Sequence, residues 1–395
     1  MKNNIFDFVL AQDCCGCGAC VNVCPAKAIM YSENKFGFIV PKIDSSKCVN
    51  CGKCIEVCPI KNVRVKHPLG AYAAMNNNSR VLEMSSSGGI FSQLALEVLH
   101  QDGLVFGCTM DENFKVKHIG ITIDDDLKKI AKSKYVQSFL GTTFSEIKVL
   151  LKSGQLVLFA GTPCQVAALN NFIGDAISTK LITVDIVCHG VPSQKLFDSY
   201  IKVLEEKRGK KLIEYVFRYK RHDKEGINWY SFYRYENGHR VLVNWPEDSY
   251  NFYYMKGATY RNSCYSCKYA QIERPGDITL CDYWGYEKKY REFDIKKDSV
   301  SGVIINTQKG MDLFQKIETN LKVHEVDLQH IADNNGCLQA PSKKIHFPEG
   351  NILKKWLEYG YNAIDREFMS KYRKQRIKYK IMRHIPKKVI YMLKR

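Results

Sequence analysis

CCGCGACVNVCP at residues 14–25 and CVNCGKCIEVCP at residues 48–59 decide how this chain is read. Both carry the spacing C-x2-C-x2-C-x3-C-P: Cys14, Cys17, Cys20 and Cys24 before Pro25, then Cys48, Cys51, Cys54 and Cys58 before Pro59. Three thiolates at two-residue intervals can wrap one iron–sulfide cube. The fourth follows at a wider interval, and the proline turns the chain away. This is the spacing of paired [4Fe–4S] sites, in which the fourth cysteine of each run ligates the other cluster. The expected ligand sets are therefore Cys14, Cys17, Cys20 and Cys58 for one cluster, and Cys48, Cys51, Cys54 and Cys24 for the second. Cys15 falls outside both. Zinc sites usually pair two C-x2-C knuckles and lack a run of four with a trailing Pro. Tandem i, i+3 cysteines are poor disulfide partners.

Two such runs within sixty residues read as a two-cluster ferredoxin module over residues 1–65, a device for moving single electrons. The remainder of the 395 residues must use those electrons or relay them, and the length allows more than one domain. The N-terminal MKNNIFDFVLAQD has no apolar core or small-residue cleavage site, and no apolar run approaches a membrane span. With sixteen cysteines, a reduced cytoplasmic setting is expected. The net charge of +18 is concentrated: residues 371–395 hold 11 Lys and Arg and no acid, which leaves +7 on the rest. Each oxidised cluster with its four thiolates adds roughly two negative charges. A general nucleic-acid surface is not implied, and no helix-turn-helix or comparable module is recognisable.

After the linker KNVRVKHPLG the pattern changes. GAYAAMN, LVFGCTM, FKVKHIGITI, LVLFA and LITVDIVC read as strands. IFSQLALEVLHQDG, TFSEIKVLLKSGQ with a capping-box-like Thr143/Glu146 opening, and QVAALNNFIG read as helices. DDDLKKIAKSKYV reads as a helix led by acids, and GTPC as a tight turn. SVSGVIINTQKGMDLFQKIE gives one more strand, turn and helix. Residues 212–260 alternate like antiparallel strands, and their aromatic content over 229–260 fits strand core or a substrate pocket. The fold class is α/β with α+β elements: a small ferredoxin-like domain fused to a larger mixed-sheet domain over 70–345. Residues 346–395 form a basic helical tail.

Six motifs then coincide in order: SSSGGIFS at 85–92, SKYVQS at 133–138, GTPCQVAAL at 161–169, DIVCHGVPS at 185–193, CYSCKYA at 264–270 and GDITLCDYWG at 276–285. Across roughly residues 1 to 330 the chain resembles the coenzyme F-420 hydrogenase/dehydrogenase beta-subunit family, in the form with a ferredoxin module fused ahead. The resemblance implies an iron–sulfur flavoprotein that binds FAD and passes electrons between clusters and a hydride-accepting or hydride-donating substrate. Some bacterial members lie near surface-polysaccharide genes. No residue here is tied to deazaflavin binding.

Ser85, Ser86, Ser87, Gly88 and Gly89 open a helix with hydroxyls, unshielded N–H groups and a helix dipole, which suits a pyrophosphate. An N-cap with a flexible lead-in explains the same residues. The resemblance points to this loop and to Lys134, Tyr135, Gln137, Ser138, Gly161 and Thr162 as FAD contacts. Cys164 and Cys188 follow successive strands, whose ends share one edge of a parallel sheet. With the C-x2-C pair Cys264 and Cys267 they compose a third [4Fe–4S] site in the family's manner, against a structural zinc site or unliganded thiols as the alternatives. Cys281 stands where the family usually has Gly, and serves as a spare thiol, a packing substitution or an alternative ligand. Cys108 and Cys337 read as small apolar fillers. His189 fits either a proton donor or a structural hydrogen-bonding role.

The tail KYRKQRIKYKIMRHIPKKVIYMLKR suits peripheral contact with an anionic membrane at its inner face, or a solvated basic tail. Expected partners are a redox donor or acceptor protein such as ferredoxin, a small-molecule substrate and a second copy of the chain, with no nucleic acid. Two functions are open: a flavin-dependent oxidoreductase with its own organic acceptor, in surface-polysaccharide metabolism or elsewhere, and an electron-transfer subunit serving a separate catalytic partner.

Overall fold

The computed structural model describes residues 4–223, 226–294, 298–345 and 350–382. The cysteine runs fold as two short helices, Ala19–Val23 and Lys53–Glu56, beside an antiparallel hairpin of β1 (Ile29–Glu33) and β2 (Ile39–Ile43). Each helix follows a left-handed glycine, Gly18 or Gly52. At Gly18 no other residue fits, because a Cβ there would stand 2.1 Å from the Tyr31 hydroxyl. Ile5, Val9 and Ile29 fill the small core together with Cys20, Cys54 and Cys58.

The larger body is built on an eight-stranded sheet. Its strands are β3 (Gly70–Asn76), β4 (Leu104–Met110), β5 (Val116–Ile121), β6 (Val157–Gly161), β7 (Leu181–Ile186), β11 (Ile278–Asp282), β12 (Ser301–Ile305) and β13 (Leu321–Glu325). The spatial order is β13-β3-β12-β11-β7-β6-β4-β5. The centre, β11-β7-β6-β4, is parallel, and both flanks are antiparallel. Val157, Leu158 and Phe159 of β6 are fully buried, as continuous apolar runs require in a sheet covered on both faces.

The intervening strands β8 (Leu212–Asp223), β9 (Gly226–Tyr235) and β10 (Arg240–Val243) form a separate antiparallel sheet. Four of its aromatic residues are core: Tyr215, Phe217, Tyr233 and Tyr235 pack with Phe197, Tyr200 and Tyr250, whereas Tyr219 is exposed. Helices Gln194–Arg208, Ser249–Met255 and Ile352–Lys371 close over them.

Three local expectations shift. The helix expected from Asp124 onward is only a turn at Asp124–Asp126 and one turn of helix at Leu127–Ile130, stopped before Lys132 at φ +65°. The cap of helix Thr143–Lys152 is Thr142, whose Oγ1 donates to Glu146. GTPC is a strand end and helix start: Thr162 caps helix Pro163–Ile173 in a capping box with Gln165. The basic tail continues as helix Arg373–Met382, and residues 383–395 lie outside the described residues. Among the described residues no helix is long and apolar enough to cross a membrane.

Candidate functional site: three groups of four cysteines

The N-terminal module holds two small cavities. One is lined by Cys14, Cys17, Cys20 and Cys58, the other by Cys24, Cys48, Cys51 and Cys54. Each thus combines three cysteines of one run with the last of the other. The two differ in access. Cys17, Cys20 and Cys58 are buried, whereas Cys51 is exposed beside Val49 at 67% exposure. Burial, followed by the charges of neighbouring thiols, pushes the Cys20 thiol well above its ordinary range.

The third group assembles from three distant segments. Cys164 lies in the first turn of helix Pro163–Ile173, directly after β6. Cys188 follows β7, which runs parallel to β6, so both emerge at the same sheet edge. Cys264 and Cys267 sit in and after the turn Asn262–Ser266. The thiols sense one another. Burial and the charges of Cys264, Cys164 and Cys267 raise Cys188, and burial with Cys164 and Cys267 takes Cys264 up to about 12. Burial and Cys164 take Cys267 up to about 11. Four thiolates could share this space only with positive charge among them. Among the described residues no group of three or more His, Cys, Asp or Glu side chains is placed to hold a metal ion.

Long-range bonds hold this group. Arg274 is 1% exposed and donates from Nε and Nη2 to Asp185 Oδ1 at 3.0 and 2.7 Å. It also donates to the carbonyls of Ile186 and Tyr269. It therefore fastens the end of the Cys264–Cys267 loop to the strand leading to Cys188. Thr162 Oγ1 lies 3.3 Å from Cys164 Sγ.

The group abuts the N-terminal module. Tyr269 donates its hydroxyl to the carbonyl of Pro59 at 2.6 Å, one residue beyond Cys58. Buried Arg261 donates through Nε, and Ser263 through Oγ, to the carbonyl of Cys14. Arg261 and Arg274 carry no motif of their own in the sequence, and Tyr269 falls within the CYSCKYA motif without being singled out by it. Their one signal is position, since they bracket the C-x2-C pair on either side.

The SSSGG loop is more committed internally than its sequence suggests. Ser85 Oγ donates to the Val81 carbonyl and meets Ser92 Oγ at 2.9 Å. Ser86 Oγ accepts from Ser133 N, and Ser87 Oγ faces the Val300 carbonyl. Gly88 is demanded by packing: a Cβ would come within 2.5 Å of the Ala74 carbonyl. Gly89, at φ +80°, starts helix Ile90–Leu99, whose first N–H groups have no partner inside the helix. Lys134 caps the carbonyls of Lys129, Ala131 and Lys132, and burial lowers it to about 8.

Gln137 Oε1 accepts from Ile39 N, and Ser138 Oγ accepts from Gln165. Tyr135 is partly buried and stacks on Tyr254 at 4.5 Å. Gly161 ends β6 and Thr162 is occupied in its cap. The cation that the loop does gather is Lys220, which donates to the carbonyls of Ser87 and Leu82 at 2.5 and 3.0 Å. Burial, then Arg218, lowers it to about 8. Trp229 Nε1 donates to Ser86 O, and Arg218 pairs with Asp282 below the same indole.

His189 keeps an exposed side chain, while desolvation by the surrounding chain lowers its basicity. Cys281 is a packing residue: it faces Gly302 across β11 and β12, where a Cβ on Gly302 would come 2.5 Å from its sulfur. Cys108 is partly buried near Lys134 and Ser138, and Cys337 is buried with its sulfur 3.5 Å from Ser342 Oγ.

A dicluster module docked on a mixed α/β body with further grouped thiols defines an iron–sulfur electron-transfer protein. Residues 13–62 match the 4Fe-4S dicluster domain, and residues 154–330 match the family described as the carboxy-terminal part of the coenzyme F420 hydrogenase/dehydrogenase beta subunit. The chain thus carries a 4Fe-4S dicluster domain and a region like the carboxy-terminal part of that beta subunit, which support an iron–sulfur oxidoreductase or electron-transfer role. A chain of the F420-reducing [NiFe] hydrogenase complex from Methanosarcina barkeri is similar at 17% identity and a TM-score of 0.46, over 70% of this chain and 92% of that one. At that distance the likeness assigns no role. No curated protein matches the chain.

Proposed function

We propose that the protein is a flavin-dependent oxidoreductase wired by three [4Fe–4S] clusters. In this reading Cys24, Cys48, Cys51 and Cys54 hold the outer cluster, where a donor such as ferredoxin delivers electrons. Cys14, Cys17, Cys20 and Cys58 hold the inner one, and Cys164, Cys188, Cys264 and Cys267 the third. The carrying observation is the docking of the Cys14 loop and Pro59 onto the segment that bears Cys264 and Cys267. FAD, when bound, would supply the exchange between one-electron and hydride chemistry.

The residues fit its pyrophosphate through the first turn of helix Ile90–Leu99, whose N–H groups have no partner inside the helix, and the cation of Lys220, more than through the serine hydroxyls. The acceptor is a small organic molecule. Its place in surface-polysaccharide metabolism rests on the family resemblance alone.

A second reading is favoured by the internal engagement of Ser85, Lys134 and Ser138: a relay without its own flavin, serving a catalytic partner. Flavin content of anaerobically purified protein, with reduced viologen as donor and small acceptors, decides between them. About one flavin per chain with turnover of the isolated protein supports the oxidoreductase. No flavin, and activity only on addition of a second protein, supports the relay.

A further inference from the structure

Helix Arg373–Met382 reads RKQRIKYKIM, so Arg373, Lys374, Arg376, Lys378 and Lys380 bring five cations and no acid. One side of it is fastened to the body. Tyr372, just ahead of it, packs on Phe252 and Phe368 at 4.6 and 5.4 Å. Arg376 turns inward: its guanidinium lies 5.7 Å from the Phe368 ring, and Nη1 donates to the Met369 carbonyl at 3.3 Å. Phe252 and Phe368 belong to the aromatic core under the small sheet, so the helix is anchored there. Gln375 and Tyr379 are half-buried on the same side.

The other side is open. Ile377 and Ile381 are 46% and 55% exposed and stand one turn apart, so they share a face. At about 100° per residue, Arg373 and Lys380 flank that pair on one side and Lys374 and Lys378 on the other. All four cations are exposed, and among the described residues none of them forms an ion pair.

An apolar ridge between two rows of cations suits a helix lying in a bilayer interface, where apolar side chains enter the acyl boundary and cations meet phosphate. Long aliphatic stems let lysines reach the headgroups while the isoleucines go deeper. Other occupants fit less well. A second copy would set the same cations against one another. A nucleic-acid backbone satisfies the cations but gives the isoleucine ridge no apolar partner. We propose that helix Arg373–Met382 docks on an anionic phospholipid surface, with Ile377 and Ile381 inserted and Arg373, Lys374, Lys378 and Lys380 on the headgroup phosphates. This docking does not depend on a bound flavin.

The test uses the full chain, purified anaerobically, and its sedimentation with vesicles of phosphatidylcholine, alone or with phosphatidylglycerol as roughly a third of the lipid. The expected result is partitioning onto the anionic vesicles only, falling steeply with salt. Lys374→Gln/Lys378→Gln should weaken it about 25-fold, at about fivefold per cation. Ile377→Ser/Ile381→Ser, which leaves the charge unchanged, should weaken it about tenfold. All four side chains are exposed, so the iron content of both variants should match that of the unmutated protein. No partitioning of the unmutated protein overturns the proposal. So does partitioning that the isoleucine pair leaves unaltered, and so does equal binding to neutral vesicles. Duplex DNA that displaces the protein from the vesicles, and binds the isoleucine variant as tightly as the unmutated protein, makes the helix a nucleic-acid contact and overturns it as well.

Discussion

The N-terminal groups of four and the third group use the same residue type in opposite ways. The former come from two runs of twelve residues, and local turns place their sulfurs, with Gly18 and Gly52 supplying the left-handed corners. The third group draws Cys164, Cys188 and the Cys264–Cys267 pair from segments up to about a hundred residues apart. Its geometry depends on parallel pairing of β6 with β7 and on Arg274 fastening the loop to Asp185. A site written in local spacing should survive damage to the sheet, and a site written in topology should not.

Arg274→Ala is the severest challenge to that contrast. It leaves the Asp185 carboxylate, fully buried, without its partner, which costs about 3–5 kcal/mol in comparable cases. Anaerobic denaturant unfolding should show a loss of that size, and about four irons should go while about eight remain. Equal loss of iron from all sites would erase the distinction between the groups.

Acid provides a subtler probe. His118 lies on β5 with Nε2 3.1 Å from the carbonyl of Ala160, two residues after which helix Pro163–Ile173 begins its cap. Burial holds it down to about 4, while the unfolded chain protonates near 6.5. Between those values the unfolded state binds a proton that the folded state refuses, so stability falls as pH drops from 6.5 towards 4 and then levels. The loss at pH 5 relative to pH 7 is about 2 kcal/mol. His118→Phe should flatten this slope in thermal unfolding of the large body. An unchanged slope would assign the acid sensitivity elsewhere.

Tyr269→Phe makes the smallest change. It deletes only the hydroxyl that reaches Pro59, and should cost about 1 kcal/mol with iron content intact. Its effect should appear as slower electron transfer between the module and the body, measured by flash reduction. Unaltered transfer would mean that this contact does not position the two.

The cysteine runs are legible in the sequence because ligand geometry is encoded within four residues. The strand–helix alternation is legible from 70 to 186 as well, since buried parallel strands are uninterrupted apolar runs such as LVLFA. The antiparallel flanks are less so, because neither β3 nor β13 announces which neighbour it will pair with. Capping at Thr142 rather than Thr143 is hidden by two adjacent residues of equal capping chemistry. Lys220 and Trp229 cannot be tied to Ser86 and Ser87 from the chain alone, because their contact spans more than 130 residues.

The central claim is that twelve cysteines hold three clusters in a line. It is tested most directly by iron and sulfide per chain in the unmutated protein beside Cys264→Ala/Cys267→Ala, both purified without oxygen. The account expects about 12 irons falling to about 8, with the signals of the two N-terminal clusters unaltered. About 8 irons in both proteins would contradict it.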